Sequence, residues 1–246
     1  MTSSIAPSPL HLEAAGRFQH GDVRGFTTFA PPKASALVSL AATEGGLLIA
    51  VNAEKLARAD PRLREVVNAN LGYPDGMGAV LALRRLGVPA RRVAGADLWR
   101  RLVARHATDR RFFLIGGEQT VIEAVVERLR REHPGIDLRF RNGFLQPGDR
   151  ERLYDELKAY RPEIVLVGMG SPRQELLMSQ LYAAHPATYM GLGGSFDVFV
   201  GRKPRAPRVL QATGLEWAYQ FVREPRRLHR LPAYLKFAWL LALGRT

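Results

Sequence analysis

The feature that most constrains the fold is an alternation of short, unbroken apolar runs with stretches of helical periodicity. The runs are residues 47–51 (LLIAV), 111–115 (RFFLI), 163–168 (EIVLVG) and 188–191 (TYMG), with a further short strand expected at 138–140. Helical patterns fill 54–69, 75–87, 119–131, 150–160 and 173–184. A strand with no polar alternation is buried on both faces, which requires helices on both sides of a parallel sheet. The expected fold is therefore α/β: a doubly wound, mainly parallel sheet of Rossmann-like type. A hydrophobic share of 46% with 24% charged residues excludes a disordered chain. The absence of cysteine excludes disulfides, thiolate zinc sites and iron–sulfur clusters.

In such sheets ligands sit beyond the carboxyl ends of the strands. Four polar or glycine-rich clusters fall there: Asn52, Gly116-Gly117, residues 168–175 (GMGSPRQE) and residues 191–197 (GLGGSFD). In the third, Gly170 lets backbone approach a phosphate, and the following helix offers free N–H groups and positive partial charge. Arg173, Gln174 and Glu175 fall in the first turn of that helix. The fourth repeats the logic with Gly193, Gly194 and Asp197. Each alone could be a tight turn without a ligand; side by side they favour a nucleotide site. Neither completes G-x-G-x-x-G, which argues against a nicotinamide or flavin cofactor. No G-x-S-x-G elbow or P-loop is present. Asp75, just ahead of a helical pattern, has two readings: an N-cap, the commonest use of aspartate there, or a general base at the mouth of the sheet. The six histidines have no ligand spacing, so neither a metal nor another cofactor is expected. Glu216, Trp217 and Tyr219 read as a helix packing its aromatics.

The charge is lopsided. Of the formal +13, residues 202–246 carry +8, from ten Arg/Lys against two acids. A basic tail implies a polyanionic partner: nucleic acid, an anionic membrane or a phosphorylated substrate. Only five of the 36 basic residues are lysines, and arginine suits bidentate phosphate binding. The tail's longest apolar run, residues 237–243, has seven residues, whereas a membrane span needs about 20. The expected organisation is a mobile polar arm at 1–25, an α/β domain at 26–201, and a basic, membrane-associating appendage at 202–246. Its aromatics, mixed with Leu and Ala, favour a lipid-facing helix over nucleic acid. A nucleic-acid-binding protein and a nicotinamide-dependent oxidoreductase remain the competing readings.

These residues together resemble the WecG/TagA/CpsF family of bacterial glycosyltransferases. The matching pieces are Asn52-Ala-Glu54, Asp75-Gly-Met-Gly78, Arg92 with Gly95-Ala-Asp97, Leu114-Ile-Gly-Gly117, Gly143-Phe144, the two loops above, Gly201-Arg-Lys-Pro-Arg-Ala-Pro207, Gly214-Leu-Glu-Trp217, and Glu224-Pro-Arg-Arg227 with Arg230. The resemblance implies metal-independent, inverting transfer of a sugar from a UDP-sugar to a sugar carried on a polyprenyl diphosphate, at the inner face of the cytoplasmic membrane, in cell-surface polysaccharide synthesis. It implies Asp75 as base, Arg92 and Gln174 lining the substrate pocket, and arginines of the appendage, here Arg227 and Arg230, on the diphosphate. The donor sugar, of N-acetylmannosamine type or glucose, stays open, as does the oligomeric state; a homo-oligomer is compatible. Two positions depart from the family pattern: Ala50, where many members carry Thr, and Gln220, where many carry Arg. The first removes a hydroxyl near the sugar, the second a phosphate-facing charge.

Overall fold

The computed structural model describes residues 5–212, 216–223 and 231–244. An antiparallel pair, β1 (His20–Val23) and β2 (Phe26–Phe29), precedes the main sheet. The main sheet contains β3 (Gly46–Val51), β4 (Leu71–Pro74), β5 (Phe112–Gly116), β6 (Leu138–Arg141), β7 (Ile164–Gly168) and β8 (Thr188–Gly191). Their spatial order is β4-β3-β8-β7-β5-β6, and every neighbouring pair is parallel. The apolar runs are explained by two cores, one on each face. Along β5, Phe112 and Leu114 enter the first core while Phe113 and Ile115 enter the second. Helices α1 (Pro9–Arg17), α2 (Ala34–Thr43), α6 (Gly95–His106), α7 (Gln119–Glu132) and α10 (Ser195–Phe199) cover the first core. Helices α3 (Ala53–Arg58), α4 (Pro61–Asn68), α5 (Met77–Arg85), α8 (Asp149–Tyr160) and α9 (Arg173–Ala184) cover the second. This is the doubly wound arrangement the sequence implies. Because all six strands run the same way, every carboxyl-end loop opens on one edge.

Several expectations are corrected. The pattern at 54–69 is two helices, because Ala59 turns left-handed (φ 49°) and Asp60 then caps a new helix with Pro61 in its first turn. The N-terminal segment, from Ile5 on, is not a mobile arm. Leu10 and Ala14, one helical turn apart on α1, are fully buried, and the Ser8 N–H donates to Ala69 O at 2.8 Å. A two-residue stripe is too short a signal to read from periodicity. Strand β4 was not expected at all, since LGYP carries a glycine and a proline in four residues. It tolerates both as the outermost strand of the main sheet.

The basic appendage is helical where described: α11 (Arg208–Ala212), α12 (Glu216–Arg223) and α13 (Leu231–Ala242). One face of α13 joins the second core through Phe237, with Ala233 and Leu241 packed beside it, and Leu240 is buried as well. Gly78 permits this, since a Cβ there would stand 2.9 Å from the Phe237 ring. The other face leaves Leu235, Trp239 and Leu243 exposed at i, i+4, i+8 spacing. Among the described residues no helix is long and apolar enough to cross a membrane.

Candidate active site

Asp75 follows the last residue of β4. Helix α5 begins two residues later with Gly76 as its N-cap and no side-chain cap bond, so Asp75 does not cap it. Its carboxylate instead lies beside Gly95 at the start of α6, whose N–H favours its charged form. Two backbone hydrogen bonds build this corner: Asp75 N–H to Val51 O (2.9 Å) and Val93 N–H to Pro74 O (2.9 Å). The second lays the segment before α6 alongside the end of β4 and brings Arg92 and Gly95 beside Asp75. Helix α6 is anchored by Leu98, Trp99, Leu102 and Val103, all buried at core spacing. Its positive end therefore points steadily at the carboxylate. Burial raises the Asp75 pKa above the ordinary aspartate value, Glu216 adds to the rise, and Arg92, the Gly95 N–H and Lys55 oppose it.

Arg92 is held from the appendage. One guanidinium nitrogen donates to Gln211 O at 2.7 Å and another to Glu216 Oε2 at 2.5 Å. Arg205 grips Asp97 with two bonds of 2.6 Å, and this pairing draws the Asp97 pKa down. The Nε groups of Arg92 and Arg205 are buried without a hydrogen-bond partner among the described residues. Glu216, first read as part of a packing helix, thus belongs to the charged ring around Asp75. The Arg205 pKa responds to Glu216 and Asp75 as well as to Asp97.

The second half of the edge lies above β5, β7 and β8. Gly116 must be glycine, since a Cβ would fall 2.3 Å from Gly168 O on the neighbouring strand. Gly117 and Gly143 close over the same corner: Gly143 N–H donates to Gly117 O at 2.9 Å, and Phe144 next to it is 64% exposed. Gly170 and Gly193 have open space where a Cβ would point, and both have positive φ. Gln174 and Glu175, in contrast, face inward and are buried. Gln174 Oε1 accepts from Gly170 N–H (3.2 Å) and Gly193 N–H (2.8 Å), while its Nε2 donates to Glu175 Oε1 (2.9 Å). It clamps the two glycine loops together. Lys55 completes the network, donating to Glu175 Oε1 at 2.7 Å and Ala50 O at 2.6 Å. Burial opposes the Glu175 charge, but Lys55 and Gln174 outweigh it and hold the pKa low.

Of the other sequence candidates, Asn52 caps α3 through a 3.1 Å bond from Lys55 N–H, Arg173 is exposed at the start of α9, and Gly194 is exposed. Asp197 accepts at its backbone oxygen from the Arg202 and Lys203 N–H groups, with Lys203 Nζ 3.8 Å from its carboxylate. Arg227 and Arg230 lie outside the described residues, and so does the side chain of Gln220. Tyr73 and Lys55 belong to the site but to no reading of the motifs. The one available signal for Lys55 was rarity, a lysine among 31 arginines directly after Asn52-Ala-Glu54. Among the described residues no group of three or more His, Asp or Glu side chains could hold a metal ion.

A doubly wound sheet with two glycine loops, a helix N-terminus and an arginine-flanked carboxylate on one edge is an α/β scaffold of the kind that receives ligands at its carboxyl edge. The family model described as Glycosyl transferase WecG/TagA/CpsF family matches residues 25–246. The chain belongs to that family and is a glycosyltransferase, with a role in cell-surface polysaccharide synthesis.

Proposed function

We propose that the chain is an inverting, metal-independent glycosyltransferase that moves a hexose or N-acetylhexosamine-type sugar from a UDP-sugar to a sugar carried on a polyprenyl diphosphate. The observation that carries this reading is Asp75: an uncapped carboxylate at the sheet's carboxyl edge, beside Arg92 and with a raised pKa. An acceptor hydroxyl attacks the anomeric carbon as the bond to the UDP oxygen breaks, and its proton passes to Asp75. The hydroxyl becomes acidic only as its new bond forms, so a carboxylate suffices, and a raised pKa makes it a stronger base. The leaving diphosphate needs positive charge, which the N-terminus of α9 supplies in place of a metal, with Arg92 joining it on release from Glu216. Arg227 and Arg230, assigned by resemblance, add to it. The donor nucleotide lies along Gly116, Gly117, Gly170 and Gly193, with the exposed Phe144 ring offering a face for the base. Asn52, Arg173, Gly194 and Asp197 rim the same edge. Gln174 and Glu175 serve this site from behind, by fixing the loops.

The appendage brings the enzyme to an anionic membrane, at the inner face where a lipid-linked acceptor would be met. The exposed Leu235, Trp239 and Leu243 stripe supports this, because an amphipathic helix of this kind inserts its apolar side while basic neighbours meet anionic lipid. A donor screen tests the whole reading: UDP-sugars against a lipid-diphosphate-sugar acceptor, scored for UDP release with and without EDTA. Release with one donor, undiminished by chelator, is expected. Activity abolished by EDTA and restored by magnesium or manganese would overturn the arginine-based account of the leaving group.

A further inference from the structure

Tyr73 is fully buried, yet its hydroxyl has no hydrogen-bond partner among the described residues. Buried polar groups are rarely left in that state, so an orphan beside a reactive group calls for a functional account. The position of the hydroxyl is specific. Residues 73 and 75 project from the same side of the chain, and both reach toward Gly95. A Cβ on Gly95 would lie 2.9 Å from Tyr73 Oη and 3.6 Å from Asp75 Oδ2. Glycine at 95 therefore lets the phenol, the carboxylate and a helix N-terminus converge.

We propose that Tyr73 is a positioning residue for Asp75: its hydroxyl and the Gly95 N–H form a two-donor cradle that orients the carboxylate toward the acceptor sugar. The Gly95 N–H already acts on the carboxylate, and the Tyr73 hydroxyl joins it as second donor when Asp75 ionises. The phenol stays protonated throughout, because burial, with Asp75 and Glu175 nearby, pushes its pKa well above the usual tyrosine value. Being enclosed, the hydroxyl reaches substrate only through Asp75. The register explains how the ring is accommodated. Tyr73 pairs with Ala50 on β3, and both side chains pack on the first core. Ala50 carries no hydroxyl, so the phenol of Tyr73 is the one side-chain hydroxyl of this register pair.

The inference rests on Asp75 acting as the base, and its test separates the two. The charged groups facing Asp75 are Arg92, Lys55 from α3, Arg205 and Glu216 from α12, all retained in Tyr73→Phe. In the full chain, Tyr73→Phe should lower kcat by roughly tenfold to a hundredfold, the scale of a misplaced reacting group, and leave the acceptor KM unchanged. The acid limb of the rate profile should move to higher pH, since the ionised carboxylate loses a donor. The melting temperature should stay close to that of the wild type, because the ring that fills the core is kept. In an Asp75→Asn background the same change should have no further effect. Carboxyl-carbon NMR of labelled Asp75 reads the cradle without turnover: its midpoint should rise in Tyr73→Phe. A midpoint that rises in an enzyme inactive on every donor keeps the cradle and sinks the proposed reaction. An unmoved midpoint, a loss that persists in full beside Asp75→Asn, or a loss that tracks a falling melting temperature overturns the cradle.

Discussion

Along the carboxyl edge of the sheet, Glu175 lies between Lys55 and Gln174, while Asp75, beyond β4, lies between Arg92 and Gly95. Both carboxylates sit at sites where burial works against their charge. At Glu175 a full-strength ion pair 2.7 Å long and a side-chain amide overcome that penalty, and the pKa falls. At Asp75 the cation that most favours its charge, Arg92, is already bonded to Glu216 and Gln211, and the pKa rises. The difference is one of availability. A carboxylate matched by its own lysine is a structural part, and one whose cation is engaged elsewhere keeps its appetite for a proton.

The comparison breaks most readily at the ion pair. Lys55→Met leaves the Glu175 charge buried without its ion-pair partner, which should cost about 3–5 kcal/mol of stability, read as a lowered midpoint in urea unfolding. A variant as stable as the wild type would show that Glu175 is held by Gln174 alone.

At Asp75 the effect should fall on rate instead. Asp75→Asn should lose turnover by roughly 10²-fold or more, the scale of general-base loss, with the fold retained because no helix cap is removed. Wild-type turnover in this variant would end the assignment of Asp75 as base.

The two carboxylates should also respond oppositely to pH. The raised pKa of Asp75 means that its favourable contribution to stability is present below the unfolded-state value and is lost as pH rises through the folded one. At neutral pH, Asp75→Asn should therefore melt at or above the wild-type temperature. Glu175, with a lowered pKa, contributes above its unfolded-state value and loses that contribution as pH falls through the folded value. Glu175→Gln should melt below wild type at neutral pH, and the gap should narrow in acid. Melting curves of the three proteins across that range check both signs.

The smallest expected effect on stability concerns the two faces of α13. Trp239→Ala, on the exposed face, should change stability by no more than about 0.5 kcal/mol but weaken flotation with anionic vesicles at low salt. Equal flotation of wild type and variant would confine the role of this helix to packing through Phe237 and Leu240.

Much of this molecule is legible without coordinates. The runs that became β3, β5, β7 and β8 are apolar on both faces, and only a sheet covered twice explains such a pattern. The ordered motifs carry the family, because chemistry-bearing residues recur at fixed places along the chain. Strand β4 escapes, being too short and too broken by Gly72 and Pro74 to show a pattern, although its end carries Asp75. The sequence offers two uses for that aspartate, cap or base, and cannot choose between them. A carboxylate answers to the groups nearest it in space, and here these include the N–H of Gly95, twenty residues on. Gln174 escapes for the same reason: its place in the first turn of α9 is local, but whether it faces a ligand or ties Gly170 to Gly193 depends on β7 and β8 lying side by side. Hydrophobic periodicity is a property of neighbours along the chain, so sequence alone determined the layers. Hydrogen-bond partnership and burial of charge are properties of neighbours across it, so the chain had to fold before any polar residue became scaffold or was left available for chemistry.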